Sequence, residues 1–262
     1  MIDFHSHIIF EVDDGANSVE KSVKLLKEAE MAGFNSIILT PHYMEDYYEH
    51  PADEIKEKIE ILRNICQKEN INLKLYQANE IYIANDMVDL LKNNMASTVN
   101  KSQYVLFELP MHEEPLNLLE VIYSLKENNI TPIIAHPERY IYVQKDISQL
   151  NDLLDMGVLF QSNYGSIIGQ YGSTCKKTIK KLLKNNCIHF LGSDVHRPET
   201  VYYSLEKAKK NARTVSENRA GKSGLWDIPY ALRVNFYLRG FLMAACAAAS
   251  RAIGTRKGEQ ET

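Results

Sequence analysis

The chain has 262 residues, which is enough for one large α/β domain with a substantial hydrophobic core. Hydrophobic residues account for 45% of the sequence and charged residues for 24%, as in an ordinary water-soluble globular protein. The formal net charge of -4 gives no broad positive surface, which argues against a nucleic-acid-binding function.

Cysteine usage and the first residues of the chain bear on its compartment. The four cysteines show neither C-x-x-C spacing nor a disulfide framework; they are Cys66, Cys175, Cys187 and Cys246. Reduced thiols in a cytosolic protein are the simpler interpretation. The opening residues lack the basic and apolar regions of a signal peptide, and up to residue 212 no apolar run approaches the roughly 20 residues that cross a bilayer. We therefore expect a cytoplasmic protein.

Short apolar runs typical of β-strands alternate along the chain with segments of helical periodicity. Seven runs lie at residues 2–5, 36–40, 73–80, 104–108, 132–136, 158–162 and 188–193. Asn17, followed by Glu20 three residues later, is expected to cap the first intervening helix. This alternation predicts βα units and a mainly parallel sheet. An open doubly wound sheet also fits, but no G-x-G-x-x-G or Walker sequence is present, so a closed or nearly closed barrel is favoured.

The segment 213–262 differs from the rest of the chain. From Arg213 the alternation stops, and an apolar stretch at 230–249 is broken by Arg233, Asn235 and Arg239. A packing or surface helix, a membrane-interface helix and a tail that is not native to the domain all fit this pattern. We therefore expect one domain at 1–212 followed by an atypical C-terminal segment.

Histidines and acidic residues stand at the ends of the predicted strands. The strand-end residues are His5, His7, His42, Glu80, Glu108, His136, Asp194 and His196. In a barrel of parallel strands these ends share one rim, so the side chains are expected to converge. Imidazole and carboxylate without thiolate favour Mn, Fe, Zn or Mg-like ions, and their number predicts a cluster of two or three ions with a bridging carboxylate. His50, His112 and His189 lie outside this pattern and are interpreted as ordinary polar residues.

With these residues, the chain resembles the PHP (polymerase and histidinol phosphatase) superfamily. Within it, the sequence is similar to the CpsB/CapC-type protein-tyrosine phosphatases of bacterial capsule and exopolysaccharide operons. The matching motifs, in chain order, are Asp3-Phe4-His5-Ser6-His7, Asp13-Asp14-Gly15-Ala16, Thr40-Pro41-His42, Asn79-Glu80-Ile81-Tyr82, Phe107-Glu108, His136-Pro137-Glu138-Arg139-Tyr140 and Gly192-Ser193-Asp194-Val195-His196.

The resemblance implies an α/β fold, a distorted seven-stranded (β/α)7 TIM-like barrel of the PHP type, with a trinuclear site that typically holds Mn²⁺. It implies a first ion held by His5, His7, Glu80 and Asp194. It implies that Glu80 bridges to a second ion, which Glu108 and His136 also bind. The third ion is expected at Asp14, His42 and His196.

Two arginines are the candidate catalytic residues. Arg139 follows His136 by three residues and is expected to grip the phosphate in a bidentate manner, the alternative being an ion pair with Glu138 or another acid. Arg197 is the second candidate. A phosphatase mechanism with a cysteine nucleophile is disfavoured, because no cysteine has an arginine six positions later and the C-x5-R loop of that mechanism is therefore absent. Five tyrosines flank the expected site loops and are candidates for an aromatic wall around a phosphotyrosine ring, namely Tyr43, Tyr47, Tyr48, Tyr140 and Tyr164. Because the fifteen tyrosines are scattered along the chain, half-buried packing is the expected role for most of them.

Four functional hypotheses remain open. The leading one, from the resemblance, is a manganese-dependent protein-tyrosine phosphatase whose partner is a tyrosine autokinase controlling polysaccharide export. The second is a phosphatase of a small ester such as histidinol phosphate. The third is an amidohydrolase-like metalloenzyme, which the glutamates at the third and fourth strand ends disfavour. The fourth is a non-catalytic binding module. No nucleic-acid partner is expected, and membrane contact only through the C-terminal segment.

Overall fold

The computed structural model describes residues 1–217, and residues 218–262, with the apolar stretch at 230–249 and Cys246, lie outside the described part. The strands are β1 Ile2–Asp3, β2 Ser36–Leu39, β3 His42–Tyr43, β4 Lys74–Gln77, β5 Glu80–Tyr82, β6 Tyr104–Glu108, β7 Thr131–Ala135, β8 Leu159–Asn163 and β9 Phe190–Gly192. The helices are α1 Val19–Met31, α2 Ala52–Lys68, α3 Met87–Lys92, α4 Leu118–Glu127, α5 Ile141–Lys145, α6 Leu150–Asp155, α7 Tyr164–Ile168, α8 Gly172–Lys184 and α9 Leu205–Glu217.

All the paired strands are parallel, which confirms the predicted α/β class. They form a sheet of order β1-β2-β4 and a second of order β3-β5-β6-β7-β8-β9, which together curl into a half-barrel. The chain passes from the first sheet to the second at two places. One is Thr40–Pro41, at the end of the predicted run 36–40, and the other is Ala78–Asn79, which interrupts the predicted run 73–80. Pro41 has no N–H for a strand ladder. The side chain of Asn79 instead bonds the Pro41 carbonyl at 3.2 Å and the Ser97 N–H at 2.8 Å.

The first and last strands meet just beyond their carboxyl ends. The Asp194 N–H donates to the His5 carbonyl at 2.8 Å, and the His7 N–H donates to the Val195 carbonyl at 3.0 Å. Gly192 permits this approach, because a Cβ atom there would lie 2.5 Å from the His5 Cβ and 2.7 Å from the His5 backbone nitrogen. The closely packed backbones place residues from both ends of the domain at one rim.

The helices pack apolar faces on the strands. In α2 the buried face carries Ile55, Ile59 and Leu62, which recur at helical spacing. The predicted cap of α1 is wrong by one residue: Ser18, not Asn17, is the N-cap, and its hydroxyl accepts a hydrogen bond from the Lys21 N–H.

The C-terminal end of the described chain is helical. Helix α9 continues through residue 212, where the sequence led us to expect the end of the domain. Within residues 1–217, no helix has both the length and the apolar character needed to cross a membrane.

Candidate metal centre

The strand-end residues converge at one rim in three overlapping groups of potential ligand atoms. Within each group, the ligand atoms lie within 4.8 Å of one another. The groups are His5, His7, Glu80 and Asp194; His7, Asp14, His42 and His196; and His42, Glu80 and Glu108. Each pair of groups shares one residue, so the three form a single cluster.

Glu80 lies at the middle of this cluster. It is the first residue of β5, paired in register with His42 of β3, and it is fully buried. Its Oε2 lies 2.9 Å from the His5 Nε2, 3.2 Å from the His7 Nε2 and 3.4 Å from the His42 Nδ1. Its Oε1 lies 2.9 Å from the His136 Nε2. Burial alone would raise the pKa of Glu80, but the positive charges of His5 and His42 and hydrogen bonds hold that pKa well below its usual value.

The first group, which contains Glu80, fits a divalent cation. The Nε2 atoms of His5 and His7 lie only 3.0 Å apart, and the Asp194 Oδ1 is 3.4 Å from the His7 Nε2. Lone pairs of two buried imidazoles and two buried carboxylates thus face one point, where they repel each other unless a proton or a cation lies between them. The nitrogen and oxygen donors suit the ions that the sequence predicts.

Glu108, at the end of β6, extends the cluster. Its Oε1 lies 3.3 Å from the His42 Nδ1, and its Oε2 lies 3.8 Å from the His136 Nε2. The resemblance grouped Glu108 with His136, whereas the compact group in the structure contains His42, and His136 joins through the other oxygen of Glu80. Burial and the neighbouring Glu80 charge raise the pKa of Glu108 to about 9.

The group of His7, Asp14, His42 and His196 is the most open to solvent. The Asp14 side chain is 52% exposed, and its Oδ1 lies 3.2 Å from the His196 Nε2 and 3.7 Å from the His42 Nε2. The hydrogen bond with His196 lowers the pKa of Asp14. Eight of the nine ligand residues expected from the sequence belong to these groups, and the ninth, His136, contacts Glu80 at 2.9 Å. His50, His112 and His189 belong to none of the groups.

Arg139 lies at the edge of the cluster, half-buried. Its Nη1 donates a hydrogen bond to the Asp194 Oδ2 at 2.9 Å, and its guanidinium lies over the Tyr171 ring at 4.7 Å from the centroid. The ion pair with an acid that the sequence left open is present, but with Asp194 rather than Glu138. The Glu138 carboxylate is buried and accepts hydrogen bonds from β8 and α7. Phosphate binding by Arg139 stays a prediction.

Arg197 contacts backbone at the rim. Its Nη1 donates to the carbonyls of Asp14, Gly15 and His196. These bonds join the loop after β1 to the loop after β9, next to the most open group. A catalytic role for Arg197 stays a prediction.

The predicted aromatic wall is wrong for three of its five members. Tyr43, Tyr140 and Tyr164 are buried in the core, at 4%, 0% and 0% exposure, so they cannot face a substrate ring. Tyr48 is partly exposed and stacks on His42 with ring centroids 5.9 Å apart. Tyr171, against Arg139, was not predicted, because it lies between α7 and α8, away from any strand end.

Sequence reasoning also missed residues that contact ligands. The Gln161 Oε1 lies 2.8 Å from the His5 Nδ1, and the Asn163 Nδ2 donates to the Asp194 Oδ2 at 2.6 Å. Asp13 bonds the His7 Nδ1 at 2.8 Å. Only their place in the sequence could have indicated these residues, because Asp13 adjoins Asp14 and the other two lie at the end of β8.

Comparison with known proteins agrees with this geometry. A family model described as "Capsular polysaccharide synthesis, CpsB/CapC" matches residues 1–226. Tyrosine-protein phosphatase YwqE of Bacillus subtilis is 30% identical over 235 residues, which cover 90% of this chain and 89% of that protein. Tyrosine-protein phosphatase CpsB of Streptococcus pneumoniae is 32% identical over 201 residues, which cover 75% of this chain and 83% of that protein.

Solved structures give the same result. A chain from the crystal structures of YwqE and CpsB, described as metal-dependent tyrosine phosphatases, matches with a TM-score of 0.77 at 30% identity, covering 85% of this chain and 89% of that one. A histidinol phosphate phosphatase from Lactococcus lactis, at a TM-score of 0.54 and 14% identity over 82% of this chain and 93% of that one, shares the fold. The resemblance in the sequence motifs is thus confirmed, and the chain belongs to the CpsB/CapC family of capsular polysaccharide synthesis proteins.

Proposed function

We propose that this chain is a manganese-dependent protein-tyrosine phosphatase that acts in the cytoplasm on a tyrosine autokinase controlling capsule or exopolysaccharide synthesis. The observation that carries the proposal is the cluster of three groups, in which His7, His42 and Glu80 each belong to two. The activity named for YwqE and CpsB supports a phosphotyrosine substrate, and the family description supports the link to capsule synthesis.

The proposed centre holds three ions, one in each group. The proposed fold is a distorted seven-stranded (β/α)7 barrel of the PHP type, in which the interrupted pairs β2–β3 and β4–β5 each count as one strand. Bound ions supply Lewis-acid stabilisation of the phosphoryl oxygens and increase the acidity of a water molecule. Manganese suits the nitrogen and oxygen donors, and iron, zinc and magnesium are the alternatives.

The protein's own contribution begins with rigid placement of the donors. His5, His7 and Glu80 are fully buried, and their donor atoms face each other across about 3 Å without a competing water shell. Cys66, Cys175 and Cys187 are buried and belong to none of the three groups, so within the described part of the chain no thiol serves as a ligand.

Arg139 is the proposed phosphate-binding residue. Its Nη1 is held by Asp194 at 2.9 Å, while the guanidinium plane rests on Tyr171. A guanidinium has five N–H donors, so the bond to Asp194 leaves donors for two oxygens of a phosphoryl group. The phenol released from phosphotyrosine has a pKa of about 10 and is a fairly good leaving group, so we assign no general acid.

The first experiment compares substrates and ions. Chelator-treated full-length protein is reloaded with Mn²⁺, Fe²⁺, Zn²⁺ or Mg²⁺ and assayed on a phosphotyrosine peptide, on p-nitrophenyl phosphate and on histidinol phosphate. We expect the highest kcat/KM with Mn²⁺ on the phosphotyrosine peptide. Activity on histidinol phosphate alone would overturn the proposed substrate, and absence of metal binding would overturn the enzyme proposal.

Two variants separate metal binding from substrate binding. We expect His136→Ala to lose bound metal and turnover, and Arg139→Ala to keep its metal while kcat/KM falls by about 100-fold or more. His50→Ala and Arg63→Ala are the matched controls, because each residue pairs with a surface glutamate outside the cluster. An Arg139→Ala protein with wild-type kcat/KM would remove Arg139 from the proposed mechanism.

A further inference from the structure

Asp13 is a buried carboxylate beside the metal centre that belongs to none of the three ligand groups. Its Oδ2 lies 2.8 Å from the His7 Nδ1 and accepts a hydrogen bond from the His42 N–H at 3.0 Å. Its Oδ1 accepts a hydrogen bond from the Gly15 N–H at 2.9 Å. Both oxygens are therefore engaged by protein donors, which leaves the neighbouring Asp14 as the carboxylate that faces the ligand groups.

We propose that Asp13 is a positioning residue that orients His7 and holds the loop of Asp14 and the start of β3 in one fixed arrangement. By accepting from Nδ1, the carboxylate keeps the His7 proton on that nitrogen and leaves the Nε2 lone pair directed at the metal centre. The same oxygen fixes the backbone of His42. This inference rests on the proposed metal centre and not on the proposed substrate.

The loop around Asp13 lies directly against His7. A Cβ atom at Gly15 would lie 2.2 Å from the His7 carbonyl oxygen and 2.8 Å from the Asp13 Oδ1. Only glycine therefore allows the loop to fold back so closely on β1 and aim its N–H at Asp13. Arg197 holds the outside of this loop through the Asp14 and Gly15 carbonyls.

The contacts of Asp13 predict an unequal effect on the three groups. Asp13 bonds two members of the open group, His7 and His42, and is the chain neighbour of a third, Asp14. Gln161 makes the corresponding contact with only one of the histidines, His5, because its Oε1 lies 2.8 Å from the His5 Nδ1. Loss of Asp13 should therefore weaken the open group most, and loss of Gln161 should leave that group intact.

The test is the Asp13→Asn variant, which keeps the size of the side chain. An asparagine has one acceptor oxygen and one NH₂ group, so its NH₂ must face either the Gly15 N–H or the donors of His7 and His42. Mn²⁺ is titrated into chelator-treated full-length protein and binding is measured by calorimetry. We expect the Kd of one binding step to rise about 10–100-fold. The other steps should weaken less, because each of the other two groups contains only one of the residues that Asp13 bonds, His7 or His42.

Reference variants define the affected step. Asp14→Asn removes a ligand of the open group and should weaken the same step, Gln161→Leu should weaken a different step, and the exposed Asp46→Asn should change none. A positioning role also predicts that excess Mn²⁺ restores kcat in Asp13→Asn, whereas it does not restore kcat in Arg139→Ala.

Two results would overturn the proposal. One is a wild-type Kd for every step in Asp13→Asn. The other is an equal weakening of all steps together with a lower unfolding temperature of the metal-free variant, which would make Asp13 a residue of general stability. Normal metal binding by wild type without phosphotyrosine hydrolysis would refute the proposed function and leave the inference on Asp13 standing.

Discussion

The Tyr140 hydroxyl joins two strands that each carry a ligand. It donates to the Ala135 carbonyl at 2.7 Å and accepts from the Leu109 N–H at 3.0 Å, and the side chain is fully buried. Ala135 precedes the proposed ligand His136, and Leu109 follows the proposed ligand Glu108. The hydroxyl therefore sets the spacing between the ends of β7 and β6.

Tyr140→Phe removes this hydroxyl and leaves the ring in place. The substitution removes the hydrogen-bond partner of one backbone carbonyl and of one backbone N–H in the core. Each buried polar group left unpaired costs about 1–3 kcal/mol. We expect the free energy of unfolding of the metal-free protein to fall by about 2–4 kcal/mol. Binding of the ion near Glu108 and His136 should weaken as well.

Tyr142 is a matched control for the same chemical change. Its ring stacks on Tyr140 with centroids 5.5 Å apart, but its buried hydroxyl has no hydrogen-bond partner among residues 1–217. Tyr142→Phe should therefore be neutral or stabilising by up to about 1 kcal/mol. Urea unfolding followed by circular dichroism measures both variants. Equal effects of the two substitutions would refute the reasoning from hydrogen-bond satisfaction.

Three further outcomes are expected. Gly192→Ala should give insoluble or metal-free protein, because the added methyl group meets the His5 backbone at 2.7 Å; a soluble variant with wild-type metal content would contradict this. Metal affinity should rise from pH 6 to pH 9, since the ion must displace the proton that Glu108, with its pKa raised to about 9, carries at neutral pH; a Kd independent of pH in calorimetry would disprove it. Chelation should lower the melting temperature by about 5–10 °C, because an ion at about 100 times its Kd stabilises by about 2.7 kcal/mol; unchanged melting would argue against folded-state binding.

The convergence of the candidate ligands could be predicted because parallel strands end at a common rim. The sequence alone shows histidine and acidic residues at the ends of apolar runs, such as His136 after β7. Their convergence then follows from the fold class. The changes of sheet at Pro41 and Asn79 were not predicted. The sequence pattern shows which residues are apolar, but it does not show where the strand pairing passes from one sheet to the other.

The residues that contact the candidate metal ligands were harder to predict from the sequence than the candidate ligands themselves. Gln161 and Asn163 act on His5 and Asp194 through contacts between strands far apart in the sequence, and no spacing rule connects them. The aromatic wall failed for a related reason. Tyr140 and Tyr164 lie next to site loops in sequence, but their rings point into the core, and side-chain direction in a loop does not follow from periodicity.

The meeting of β1 and β9 has a consequence for synthesis of the protein on the ribosome. His5 is translated long before Asp194, whose N–H bonds the His5 carbonyl and which emerges only after almost the whole domain has been made. Contacts across such a sequence separation form late, because the intervening chain must first be ordered. A nascent chain that stops before residue 194 lacks Asp194 of the first candidate ligand group, so the proposed binding of an ion there waits for the final strand.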